Sequence, residues 1–321
     1  MKGWAALMTA VMLMLCVFSA GCAQQDVLLE LDDGERVPYE PYSLYLDVAG
    51  EIARYSARQG IAFTMAMESY LQANHVILAT DEFLSLCAED MDAHMQSEAY
   101  VVCADILGAH YGIQEDDVAQ CVWENYWSQY VARMLSGFFK AQEEMTGVLA
   151  EEMFRDFTEQ FYENLSFDDG GVAVFAGESI AWTPVYERLC QYNDLNARLE
   201  VADTIAQNRS VEKYIQSRQI EVDLEKVDES LQQAVHTMQA NEVYSRVFGD
   251  ILTSKGRTMD EFLTAMKPFV TANFQRAAFG QYCYDAYQKL DDGAEKPTME
   301  AYYGARLSEV SQPYTVEYLG W

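Results

Sequence analysis

Apolar residues recur at intervals of three and four along most of this chain of 321 residues, and only six prolines interrupt it. Phe83, Cys87, Met91, Met95, Ala99, Val102 and Ile106 form one stripe, behind Thr80-Asp81-Glu82, which can cap a helix N-terminus. Val118, Val122, Tyr126, Tyr130, Met134 and Phe138 form a second. Leu263, Met266, Val270, Phe274 and Ala277 form a third, behind Thr258-x-x-Glu261, a capping box. Such stripes bury one side of a helix against its neighbours, so the pattern constrains the chain to a mainly α fold. Strand-like text is confined to Val27–Leu31, Val172–Ala176 and an alternating tail at Tyr314, Val316 and Tyr318. An isolated strand leaves its backbone groups unsatisfied, so the tail needs a partner, and Val27–Leu31 is the nearest candidate.

Ser166-Phe167-Asp168-Asp169-Gly170-Gly171 breaks the helical text near its middle, and the two halves open alike. Gly34-Glu35, Val37, Tyr39 and Pro41 superimpose on Gly177-Glu178, Ile180, Trp182 and Pro184 at one offset of 143. A short strand, a Gly turn and a helix starting near the proline would be the shared unit. A looser match follows, Gly112-Ile113 to Val118 against Gln219-Ile220 to Val227, in which an Ile leaves one helix and acidic residues open the next. The halves therefore read as a duplication in which one copy gained or lost a helical hairpin. The expected organisation is 22–33 as a tether and first strand, 34–165 as one helical lobe and 166–171 as a hinge. A second lobe then covers 172–292, and 293–321 hold a C-terminal helix and strand.

Residues 1–21 read as a signal peptide. Met1-Lys2 is followed by an apolar run from Trp4 to Phe18, the length of a signal core and short for a membrane span. It closes on Ser19-Ala20-Gly21-Cys22, small residues leading into a cysteine. This resembles the lipobox of bacterial lipoproteins, in which the cysteine thiol takes diacylglycerol and becomes the new N-terminus. The resemblance implies lipidation at Cys22 and a cell-membrane protein anchored on the extracytoplasmic face through that lipid only.

Charge narrows the partners. Against 51 Asp+Glu the chain has 21 Lys+Arg, a formal net charge of −30. A field of that sign repels phosphate backbones, which argues against nucleic acid, and it repels anionic headgroups too. His75, His94, His110 and His236 are the only histidines and sit in helical text, His94 and His110 on what reads as one long helix. Neither a metal site nor a cofactor is expected. Beyond Cys16 and Cys22 remain Cys87, Cys103, Cys121, Cys190 and Cys283, an odd number without C-x-x-C, which reads as buried thiols.

The strand, Gly-Glu, aliphatic and helix opening, followed later by the Ile exit and acidic cap, resembles the N-terminal chaperone domain of SurA/PrsA-type extracytoplasmic foldases. The same helical architecture is similar to the C-terminal domain of trigger factor. Asp33 and Ala176 stand where that family favours Asn, and Tyr42 and either Val185 or Tyr186 replace a Phe. The resemblance implies elongated helical chaperone-like lobes and, as partners, unfolded or exported polypeptides. No glycine-rich β segment with paired histidines follows, so the parvulin domain that members often carry is expected to be absent. The expected role is then holding without catalysis.

Other chemistry is weaker. Gly177-Glu178-Ser179-Ile180-Ala181 superficially matches a nucleophile elbow, but Gly34-Glu35-Arg36 fills the same slot without Ser, so the structural reading wins. Asp168-Asp169-Gly170-Gly171 lacks the alternating spacing of a calcium loop. Aromatic residues are the more useful surplus. Tyr39, Tyr42, Trp182 and Tyr186, beside the helices that open each lobe, are the candidate client-binding residues, lining a crevice with Tyr, Trp and Met that adapt to extended apolar segments. The alternative is that they belong to the core of a helical scaffold, or of a specific partner in cell-envelope assembly.

Overall fold

The structure, a computed structural model, describes residues 26–167, 170–240, 242–290 and 296–320. The fold is mainly α, with 74% helix and ten helices among the described residues. In chain order these are β1 (Val27–Leu31), β2 (Arg36–Pro38), α1 (Ser43–Ala73), α2 (Thr80–Met95), α3 (Glu98–Ile106), α4 (Glu115–Thr146) and α5 (Ala150–Asn164). Then follow β3 (Leu165–Ser166), β4 (Ala173–Phe175), β5 (Glu178–Ile180), α6 (Pro184–Arg218), α7 (Val227–Ala240) and α8 (Glu242–Ser254). The chain ends with α9 (Met259–Tyr287), α10 (Met299–Val310) and β6 (Tyr314–Val316).

Two compact units form, and neither is a sequential half. One holds the described residues up to Leu46, Ala202–Glu242 and those from Gly256 onward; the other holds Asp47–Val201 and Val243–Lys255. The division therefore lies elsewhere than at 166–171. That segment joins β3 to β4 inside one sheet of the second unit, with Asp168 and Asp169 outside the described residues. Helical periodicity specifies the buried side of a helix but not its neighbours, so sequence order could not divide the chain this way.

Each unit carries a three-stranded antiparallel sheet with the expected strand at its centre, β2-β1-β6 in the first and β3-β4-β5 in the second. The expectation of a Gly turn leading directly into a helix is corrected, because a short second strand intervenes each time. In the first unit Leu31 N donates to Glu35 O at 2.9 Å around Asp32-Asp33-Gly34, with Gly34 at φ 83°. In the second a two-residue turn holds Ala176 at φ 51° and Gly177 at φ 83°, both left-handed as a type I′ hairpin requires. In each sheet a third strand lies antiparallel to the central one on the side away from its hairpin partner. Tyr314 pairs with Leu31 and Thr315 with Glu30, and in the second sheet Leu165 pairs with Phe175 and Ser166 with Val174. The tail thus pairs with β1 as expected. β3 leaves α5 directly, whereas β6 follows α10 at the far end of the chain.

The looser match has a shared geometry as well. Ile113 follows Gly112 at φ 67° and Ile220 follows Gln219 at φ 53°, a left-handed exit that turns the chain off a helix. Acidic residues open both following helices, and Val118 and Val227 are buried.

In the first unit, Val211, Ile215, Phe279 and Cys283 form a core onto which Tyr303 and Leu307 of α10 close. Val227, Leu231 and Val270 form another, with Leu263, Met266 and Phe274 against it. The capping box is present: Glu261 N donates to Thr258 Oγ1 at 3.3 Å and Thr258 N to Glu261 Oε2 at 2.7 Å. In the second unit the stripe from Phe83 to Ile106 is two helices. Ser97 interrupts it and caps α3, its Oγ accepting from Tyr100 N at 3.3 Å. His94 therefore lies on α2, while His110 follows α3 in a wider turn at Leu107–Tyr111. The five described thiols are free and buried, and burial pushes Cys103 and Cys121 up to about 12.

Candidate functional site

The four aromatic candidates are half-buried and do not share one crevice within either unit. In the first unit Tyr39 meets Tyr318 edge-on at 4.8 Å, and Tyr42 meets Phe269 at 5.7 Å. Tyr42 also lines a cavity of about 360 Å³ beside Arg209, Glu212 and Lys267. In the second unit Trp182 and Tyr186 line different cavities. Ser179 pairs with Val174 inside the β4–β5 hairpin, not at a strand-to-helix turn. Cys22 lies outside the described residues.

The larger cavity of the second unit, about 990 Å³, takes Arg54 and Arg58 from successive turns of α1. Arg58 donates through Nε to Val172 O at 2.7 Å and through Nη2 to Gly171 O at 3.0 Å. Its guanidinium lies 5.0 Å from the Phe167 ring centre and 5.5 Å from that of Trp182. Trp182 therefore covers a structural arginine that ties α1 to the β3-β4-β5 sheet. Arg54 Nε stands 2.7 Å from Asp194 Oδ2, an ion pair whose N–H is not aimed for a hydrogen bond. Arg198 Nε donates to the other oxygen of Asp194 at 2.7 Å and Nη1 to Asp47 Oδ1 at 3.1 Å. Lys255 completes the network, 3.7 Å from Asp47 and 3.6 Å from Glu51. Here the chain's scarce cations are taken up in joining helices.

The second cavity, about 410 Å³, has the opposite chemistry. α1 brings Thr64, Met65 and Glu68 to it, α4 brings Trp123, Glu124 and Trp127, and α6 brings Tyr186, Asn193, Asn196 and Glu200, each set at helical spacing. Trp123 and Trp127 stack at 5.2 Å with 8° between their planes, and Phe83 meets both edge-on at 5.3 Å. Trp127 Nε1 donates to Glu68 Oε1 at 2.6 Å, and Thr64 Oγ1 to Ser128 Oγ at 2.8 Å. Gln120 donates to Glu124 at 2.8 Å. Burial raises the Glu124 carboxyl, Gln120 offsets part of this, and the charge of Glu68 raises it further. Burial, then Glu124 and Glu68, raise the Tyr186 hydroxyl. No Lys, Arg or His stands among the described residues lining this cavity.

The stripe from Val118 to Phe138 predicts the helix that carries Trp123 and Trp127, but Met65, Glu68, Glu124 and the arginine network escape sequence reasoning. The one local signal was Trp123-Glu124-x-x-Trp127, two indoles one turn apart with a carboxylate between them. Among the described residues no three His, Cys, Asp or Glu converge as a metal ion requires, and no helix is long and apolar enough to cross a membrane. No protein-family model, curated protein or solved structure matches the chain.

Proposed function

We propose that the chain is a lipid-anchored extracytoplasmic protein that holds unfolded or exported polypeptides without catalysis. The observation that carries this reading is a group of apolar side chains left in solvent where α4 turns into α5. Met145 is 70% exposed, Val148 44% and Leu149 52%. α1 runs parallel to α4, with Thr64 beside Ser128 and Tyr70 beside Phe138 and Phe139. Past the left-handed turn at His75 the exit of α1 carries Ile77, 81% exposed, as a further apolar side chain in solvent. A soluble surface gains nothing from such exposed side chains, whereas a holding surface needs adaptable apolar contacts surrounded by charge. The resemblance to SurA/PrsA-type chaperone domains supports the same role. Dilution of a chemically unfolded, aggregation-prone client with equimolar protein should suppress light scattering, while cis–trans exchange of an Xaa-Pro peptide should stay at its uncatalysed rate.

Anchoring rests on Cys22. Cys22→Ser removes the acyl acceptor, so the protein should no longer fractionate with membranes as a lipidated species; unchanged lipid labelling would refute the assignment.

The packing of Tyr39 on Tyr318 and Tyr42 on Phe269 favours a second reading, a helical scaffold or specific partner in cell-envelope assembly, in which these aromatics are core. A scaffold would leave client aggregation unchanged.

A further inference from the structure

We propose that the cavity between α1, α4 and α6 is a binding site for an organic cation, a protonated alkylamine or a guanidinium carried on an apolar stem. Its walls supply both halves of such a ligand. Trp123, Trp127, Tyr186 and Met65 offer aromatic and thioether surface to a stem and to the rim of a cationic head. Glu68 and Glu124 supply the counter-charge, and among the described residues the donors they accept from, the Trp127 indole and the Gln120 amide, are neutral. Ser128, Asn193 and Asn196 add polar groups to the lining.

Alternative ligands fit less well. An anion would enter a cavity lined by three glutamates and no basic residue, in a chain of formal charge −30. A small metal ion needs convergent ligands, and no such group exists among the described residues. A neutral apolar ligand would leave Glu68 and Glu124 half-buried without a counter-charge, and Glu124 already shows the cost in its raised carboxyl. An organic cation is large enough to reach Glu68 and Glu124 and to touch the aromatic lining at the same time. The volume of about 410 Å³ admits a cationic head with a stem of about four to six atoms. This assignment does not depend on the holding role.

The head could come from a free diamine or from a lysine or arginine side chain of a polypeptide, and the probes separate these sources. The full chain is titrated with pentane-1,5-diamine, with N-acetyl-lysine methylamide, and with pentan-1-ol as a neutral match, following indole fluorescence and heat. Saturable binding of at least one cation, with none of pentan-1-ol, is expected. The diamine alone binding points to a free amine; the blocked lysine binding points to a polypeptide side chain. Glu124→Gln keeps the shape and the Gln120 contact and should weaken binding about tenfold or more, the usual loss of a charged hydrogen-bond partner. Trp123→Leu should weaken it with an unfolding temperature checked in parallel. No saturable binding of either cation, equal binding of pentan-1-ol, or unaltered affinity in a folded Glu124→Gln protein would overturn the assignment.

Discussion

A Cβ added to Gly50 on α1 would lie 2.0 Å from Oδ1 of Asp194 on α6, the oxygen that accepts from Arg198. The close approach lets two helices share one carboxylate between Arg54 and Arg198, with Asp194 only 9% exposed. Gly50→Ala must displace this pair and should destabilise the protein by about 2 kcal/mol. Gly137 in α4 is exposed, and a Cβ there meets nothing within 4 Å. Gly137→Ala should therefore stabilise by about 1 kcal/mol, the ordinary helix preference. Urea unfolding of the two variants checks the opposite signs.

Ala176 occupies the first left-handed position of a two-residue hairpin turn, a conformation that Asn tolerates better than Ala. Ala176→Asn should raise stability by about 0.5–1 kcal/mol. Thermal unfolding measures it, and a lowered midpoint would contradict the turn geometry.

The local features were legible. Strand text at Val27–Leu31, the Thr258–Glu261 capping box and the glycines at 34 and 177 all act within a few residues of themselves, so periodicity and turn chemistry reach them. β2 and β5 escaped because three residues leave no alternation to read. The site was legible only in part. Trp127 meets Glu68 from 59 residues away, and nothing in either helix specifies the other as its neighbour. Arg54 and Arg58 carry no local signal, because the carbonyls, Asp194 and rings that hold them come from distant elements. Tyr39 and Tyr42 found partners in the last third of the chain, which no local pattern announces.

Acid should loosen the contact of the first hairpin with α6. Burial alone would raise the Glu35 carboxyl, but donation from Lys213 and Arg209 outweighs it, so the folded value lies below the ordinary 4.5. A carboxylate lowered on folding adds stability that is complete above the unfolded value and lost as pH falls through the folded one. Urea midpoints measured between about pH 6 and pH 3 should fall below roughly pH 4.5, and Glu35→Gln should flatten part of that decline. An identical profile in the variant would remove Glu35 as a contributor.

The central claim is that the apolar group formed by Met145, Val148 and Leu149 holds unfolded chains. Leu149 stands at the N-cap of α5 without a side-chain cap, so Leu149→Ser supplies a capping oxygen while removing an apolar contact. Combined with Met145→Ser and Val148→Ser, it leaves the fold intact and strips the surface. The decisive measurement is the amount of protein that halves aggregation of a chemically unfolded client, compared between the parent and this triple variant at matched unfolding temperature. Several times more of the variant should be needed, because each contact contributes only about 1 kcal/mol and others remain. Equal potency of the two proteins, or no suppression by the parent, would contradict the claim.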